Sequence, residues 1–309
     1  MWTGLQTQSS AETQVDFFMS EKRCPEYLYH YTNFKGLEGI LKEDCLWATD
    51  AHTTNDSSEI HHGVKLLLNY LKKEVGISEI ISMQIDDFIQ FLLGKKGIAK
   101  GVFLSCFSEV SEEDEYCKKN GLLSQWRGYG SEQGYAIKFQ RKILLEKYIT
   151  FQKESEDIFI GSGSVEYLND VLFKENKTLL ESVVKIKTAI SDLEKDPNKF
   201  SGSEGEKILF KNALLIALFS KHLGFKEEKE FRFPRILWDS ELGEEIYFYE
   251  KGGILRSYIK IFKGLTKDAI SEIIIGPSRH KEVNQRKIQT MLNQLKIKAD
   301  VVISETPYV

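Results

Sequence analysis

The sequence predicts a mixed α+β protein with a single structured domain of about ten strands. Three observations predict it: short runs of period-two alternation recur along the chain, amphipathic helical stretches separate them, and the C-terminus reads strand, helix, strand. At 309 residues and 41% hydrophobic content the chain can bury a real core. No internal repeat or long linker demands a second domain. The expected organisation is a loose polar arm over residues 1–25, then one α+β domain over 26–309 with helical insertions near 57–95 and 165–223.

The elements follow in order. YLYHY (27–31) is a strand with Tyr27, Tyr29 and Tyr31 on one face and Leu28 and His30 on the other. Thr32 or Asn33 caps a helix in which Phe34, Leu37, Ile40 and Leu41 recur, and CLWAT (45–49) is a second strand. DAHTTNDSS (50–58) is turn and cap chemistry that opens a helix with Ile60, Val64, Leu67, Leu68 and Leu71. A second helix with Ile81, Ile85, Phe88, Ile89 and Leu92 ends at Gly94 to Gly97. GVFLSCFSE (101–109) reads as a buried strand. Leu122, Leu123 and Trp126 make one or two helical turns, residues 128–134 a glycine-flanked loop, and Tyr135, Ile137 and Phe139 one face of a strand. Residues 141–199 are helical and charged apart from a strand at 157–160. Ser203 and Glu206 form a capping box for an apolar helix, Ile208 to His222, ended by Gly224. A Gly-Gly turn joins strands 245–250 and 254–262 as a hairpin. EIIIG (272–276), a helix from Glu282 to Leu295 and ADVVISE (299–305) form a parallel crossover unit.

Between the apolar helix and the hairpin lies KEEKEFRFP, 226–234. As a strand it places Glu228, Glu230 and Arg232 on one face, open as a site, and Phe231 and Phe233 on the core face. The formal charge of −4 and pI near 6.0 supply no bulk attraction toward nucleic acid or an anionic membrane. Cys24, Cys45, Cys106 and Cys117 are widely spread without a C-x-x-C pair, which fits reduced thiols rather than a disulfide frame. No leader pattern or membrane-length apolar run is seen, so a cytoplasmic location is expected.

Several kinds of chemistry lack their signatures. There is no phosphate-binding loop and no nucleophile elbow around Ser105, Cys106 and Ser108. His52, Glu59, His61 and His62 lack H-E-x-x-H spacing, and adjacent helical histidines point about 100° apart, so no metal site is expected. What remains is His30 on an early aromatic strand, a loop region holding Trp126, Tyr129 and Tyr135 where a flat ligand could stack, and the late E-x-E-x-R.

The ordered motifs HYT (30–32), L-W (46–47), N-D-x-x-E (55–59), S-C-F-S (105–108), Q-W-x-x-Y (125–129), G-Y-A-I-x-F (134–139), E-K-E-F-R (228–232), I-I-G-P (274–277) and S-x-x-P-Y (304–308) resemble a large bacterial family of uncharacterised, often defence-associated proteins. That family in turn resembles the ADP-ribosyltransferase superfamily, where an early His or Arg, a middle aromatic or polar residue and a late Glu arrive in that order on a split mixed β-sheet. The resemblance implies NAD as substrate, Glu228 and Glu230 as catalytic carboxylates, and His30, Tyr31, Thr32, Trp126, Tyr129, Tyr135 and Arg232 as dinucleotide-binding residues. The E-x-E spacing is similar to the arginine-type branch and the early His to the diphtheria-toxin-like branch, which leaves protein, RNA and DNA open as acceptors.

These residue types suit such chemistry. Cleaving the nicotinamide–ribose bond passes through a sugar cation that a nearby carboxylate stabilises, and a second carboxylate can deprotonate the acceptor. His30 can bond a ribose hydroxyl, an aromatic ring can stack on nicotinamide, and Arg232 can hold a Glu ionised or reach a phosphate. The expectation is an ADP-ribosyltransferase-like toxin or effector of an anti-phage or toxin-antitoxin system. A non-catalytic nucleotide-sensing or interaction module is the alternative, and a metal-dependent nuclease or hydrolase the third. An antitoxin or inhibitor would find apolar anchors in the arm (Trp2, Leu5, Val15, Phe17, Phe18) or in the helical insertion (Ile81, Phe88, Ile89, Phe91, Leu92, Leu93).

Overall fold

The computed structural model describes residues 24–51, 59–92, 101–129, 133–153, 161–195, 203–237 and 246–307, with the backbone alone for 59, 89–92 and 152–153. The arm up to residue 23, His52, most of N-D-x-x-E, the strand expected at 157–160 and Tyr308 lie outside them.

A large mixed sheet organises the chain. Strand β1 (Tyr27–Thr32) leads to helix α1 (Phe34–Glu43), where the Asn33 side chain accepts from the Gly36 N–H, and then to β2 (Leu46–Asp50). Helix α2 (Glu59–Tyr70) continues into a π-helical turn, Leu71–Val75, and α3 (Glu79–Leu92) follows. Strand β3 (Gly101–Glu109) precedes the short α4 (Glu115–Asn120) and α5 (Leu123–Tyr129), so part of the expected 128–134 loop is helical. Next come β4 (Tyr135–Gln140), α6 (Arg141–Lys153), β5 (Gly163–Ser164), β6 (Glu166–Leu168), α7 (Asp170–Glu175) and α8 (Lys177–Lys195).

Helix α9 (Glu204–Phe219) starts at the expected Ser203 cap, but Ser220–His222 leave it to form β7, paired in parallel with β6. A 3-10 turn, Leu223–Glu228, then precedes β8 (Glu230–Leu237). The hairpin is β9 (Tyr247–Lys251) and β10 (Ile254–Ile261), turned through Gly252 and Gly253 at φ 65° and 76°. The short α10 (Thr266–Ala269), β11 (Ile270–Ile275), α11 (Lys281–Leu295) and β12 (Asp300–Ile303) close the chain, with β11 and β12 parallel as expected.

Strand order is β12-β11-β4-β1-β3-β2-β10-β9, and β8 pairs with β3 and β5. β3 is the branch point. One edge carries the β8 ladder from Gly101↔Leu237 to Ser108↔Glu230. On the other edge β1 pairs at Ser108 and Glu109 while β2 pairs at Phe103 and Leu104. Residues 105–107 fall between the two, so β1 and β2 diverge and the sheet is split along β3. Helices cover both faces: α2, α3, α8 and α9 build one core, and α1, α6 and α11 pack into the other. Among the described residues no helix is long and apolar enough to cross a membrane.

Two expectations fail locally. Glu228 is not on the strand, because Lys229 takes a left-handed conformation (φ 46°) and turns the chain between the 3-10 segment and β8. Nor does β8 keep a solvated charged face, since all eight of its residues are buried. Within the helical insertion, Ile81 and Ile85 join the core and Phe88 stacks on Phe210 at 4.1 Å, so these three are engaged inside the fold.

Candidate active site

The divergence of β1 and β2 opens a cleft of 460 Å³, within the 300–1,000 Å³ usual for small-molecule sites. Its floor is β3, with Leu104, Cys106, Phe107 and Ser108. One wall is β1 with α5, contributing His30, Gln125 and Tyr129; another is the segment around β8, contributing Lys221, Phe225, Glu228, Glu230 and Arg232. The far wall is β2, β9 and β10, with Trp47, Thr49, Tyr249, Lys251 and Arg256.

His30 sits across the gap in the ladder. Its Nδ1 donates to the Cys106 carbonyl at 3.0 Å, and its ring lies 5.5 Å from that of Phe107. Because a carbonyl only accepts, the Nδ1–H tautomer is fixed and Nε2 is left as an acceptor in the neutral ring. Burial lowers the imidazole pKa below its ordinary value, with the Cys106 carbonyl opposing in part, so the ring is neutral at pH 7.

Two cations hold the Glu230 carboxylate. Arg232 grips it bidentately, Nε to Oε1 at 2.7 Å and Nη2 to Oε2 at 3.0 Å, and Lys221 Nζ reaches Oε2 at 3.2 Å. Arg232 is fully buried and its Nη1 donates to the Leu218 carbonyl at 2.7 Å. Burial alone would raise the Glu230 pKa. The attraction of Arg232 and then of Lys221 outweighs it and holds the carboxyl well below the usual range. The backbone is fixed as well, since the Glu230 N–H donates to the Tyr167 hydroxyl at 2.7 Å and its carbonyl accepts from Val165 at 2.8 Å.

Glu228 comes from the 3-10 turn instead, yet shares the same lysine, with Lys221 Nζ at 2.5 Å. Its side chain is 32% exposed against 8% for that of Glu230. The two carboxylates thus flank one ammonium, one clamped and one facing water. Lys221 also lies 4.8 Å from the ring centroid of Phe225. Tyr129 is 43% exposed as a residue, while its phenol is pushed up by desolvation and by nearby Cys106, Glu230 and Glu228.

The cleft gathers His30, Tyr31, Tyr129, Glu228, Glu230 and Arg232 from the expected set. Tyr31 turns its chemistry inward, since its hydroxyl accepts from Leu122 N–H at 2.7 Å and its ring meets Trp126 edge-on at 4.9 Å. Trp126, Tyr135 and Thr32 do not line the cleft. Trp126 is buried, donates from Nε1 to the Asn120 carbonyl, and is wedged so that a Cβ at Gly121 or Gly276 would stand 2.6 or 2.8 Å from its ring. Tyr135 is buried 6.3 Å from the Phe34 ring, and Thr32 packs against Gly36. Lys221, Gln125, Cys106 and the far wall are members that sequence reasoning missed. Trp47, Cys106 and Gln125 do fall within the L-W, S-C-F-S and Q-W-x-x-Y motifs, and the alternation of Tyr247, Tyr249 and Lys251 marks a single face of the hairpin.

Part of the site, from α5 to β8, falls within a family match. Residues 125–233 match the model of a family described as "Protein of unknown function (DUF2971)". The DUF2971 match begins at Gln125 in α5 and ends at Phe233 in β8, so it includes Tyr129, Lys221, Glu228, Glu230 and Arg232. An uncharacterised family is what the motif order implied, over a shorter stretch than the motifs spanned. No curated protein and no solved structure matches the chain.

Proposed function

We propose that this chain is an NAD-consuming, ADP-ribosyltransferase-like enzyme, acting as a toxin or effector in bacterial anti-phage or toxin-antitoxin defence. The observation that carries the reading is the meeting of His30 and Glu230 in one cleft at the split of the sheet, although they lie two hundred positions apart. The cleft suits a dinucleotide's functional groups: a neutral imidazole to accept from a ribose hydroxyl, an exposed tyrosine ring, and a fixed carboxylate.

Glu230 is a poor proton acceptor because its two cations keep it ionised; its role is electrostatic, stabilising positive charge that develops on the ribose. In the reaction the C1′–N bond of the nicotinamide riboside breaks and its electron pair leaves with neutral nicotinamide. A lone pair of the acceptor forms the new bond to C1′, and the acceptor's proton passes to Glu228, the carboxylate more open to water. The clamp on Glu230 also favours a second reading, a nucleotide-binding module without catalysis, since two cations offset much of the carboxylate's field. The hydrolase reading needs converging metal ligands, and among the described residues no group of three His, Cys, Asp or Glu could hold an ion.

Incubation of the purified chain with NAD labelled in the adenylate half, with and without cell lysate, tests the proposal. Nicotinamide release with label retained on polymer is expected, and protease or nuclease digestion identifies the acceptor. Intact NAD after prolonged incubation with both preparations would remove the enzyme and leave the binding module.

A further inference from the structure

The far wall of the cleft makes a second chemical statement. Tyr249 and Lys251 of β9, Arg256 of β10 and Trp47 and Thr49 of β2 line it together. The registers Arg256↔Tyr249, Ile254↔Lys251 and Tyr258↔Thr49 place them on one sheet face. Charge is balanced only at the other end, where Glu228 and Glu230 offset Lys221 and Arg232. Arg256 and Lys251 form no ion pair with any described residue. The Nε of Arg256 is shut off from water and has no hydrogen-bond acceptor among the described residues, a costly condition for a guanidinium N–H that an entering anion would relieve.

We propose that Arg256, assisted by Lys251, binds the phosphates of a nucleoside diphosphate moiety. Trp47, whose ring is stacked on Tyr258 at 3.9 Å, and Tyr249 give the nucleoside an apolar border. Two cations beside an otherwise neutral set of lining charges match the charge of a diphosphate, and the guanidinium fork suits its oxygens. Resting on the NAD reading, this assignment also orients the substrate: the diphosphate lies on the β9–β10 wall and the reactive ribose extends across β3 toward His30 and Glu230.

Calorimetric titration with ADP and with adenosine, on wild type, Arg256→Gln and Arg256→Lys, tests it, with thermal melts to verify folding. Arg256→Gln should weaken ADP about 10- to 100-fold, the worth of a charged hydrogen bond, and leave adenosine affinity unchanged. Arg256→Lys should fall between. ADP affinity equal in all three proteins, ADP and adenosine weakened alike, or no ADP binding to wild type would each overturn the assignment. Arg256-dependent ADP binding without NAD consumption would keep the phosphate subsite and discard the transferase, whereas NAD consumption indifferent to Arg256→Gln would do the opposite.

Discussion

Replacing Glu230 by glutamine keeps the shape of the side chain and removes the charge that Arg232 and Lys221 share. Those partners are 1% and 5% exposed and Glu230 itself 8%, so water cannot take over. Breaking a buried ion pair from one side costs about 3–5 kcal/mol, because the partner charge stays buried without its counter-ion. At about 2–4 °C per kcal/mol for chains somewhat shorter than this one, the variant should melt on the order of 10 °C below wild type. Glu228→Gln is the internal control: its side chain is 32% exposed and Lys221 keeps Glu230, so the cost should stay near about 1 kcal/mol or less. Scanning calorimetry at neutral pH and physiological salt measures both, with circular dichroism to show that each variant folds. The paired change Glu230→Leu with Arg232→Met should recover most of the loss, since a well-packed apolar pair does as well as a buried ion pair. If Glu230→Gln melts within about 2 °C of Glu228→Gln, the buried-clamp account of this site is wrong. Any assay of Glu230 variants for NAD turnover should be run well below their melting temperature.

Acid should act on the same group: a depressed folded-state pKa gives stability that is fully present above the ordinary Glu value of about 4.3 and is lost as pH falls through the folded value. Wild type should therefore lose stability steeply below that pH and Glu230→Gln less so, and parallel acid-denaturation curves would contradict this. His30 is neutral because its pKa is lowered, so NAD affinity should be flat through pH 6.5 and fall only at more acid pH. A break in the binding profile near 7 would contradict the lowered pKa of the buried imidazole. Trp126→Phe and Gly276→Ala should each lower stability, the latter by about 1–3 kcal/mol through overpacking against the indole, with ligand affinity unchanged. Tyr129→Ala should do the reverse, weakening the dinucleotide with little change in melting, and an unaffected affinity would remove Tyr129 from the site.

The strands and helices most readable in the sequence were those with one dominant period. YLYHY, the hairpin and the β11–α11–β12 unit form at or within a few residues of the expected bounds because alternation, a Gly-Gly turn and a crossover length are local facts. Ser220 to His222 were unreadable for the opposite reason: they continue an apolar helical run, and only pairing with Glu166–Leu168 draws them out. That displacement positions Lys221, which no local pattern marks as a site residue. For Trp126 the chain offered an aromatic beside glycines, a pattern equally made by a ligand platform and by a ring wedged among backbones. Gly121 and Gly276, far apart in sequence, decide for the wedge. Which acids and bases face each other was legible only as an order of motifs, because their pairing depends on where β1 and β2 part company.

That parting makes the cleft a late event in the life of the chain. Its floor, β3, is complete at residue 109, but the strand that carries Glu230 and Arg232 ends at residue 237. A loop of well over a hundred residues must close before the two strands zip, so loop-closure entropy and high contact order slow this step. At synthesis rates of about 5–20 residues per second, several seconds separate the two strands on the ribosome. During that interval the nascent chain holds His30 and half a cleft without its carboxylates. A chain halted before β8 would lack Glu230, Arg232 and one wall of the cleft, which is assembled only after the greater part of the polypeptide has been made.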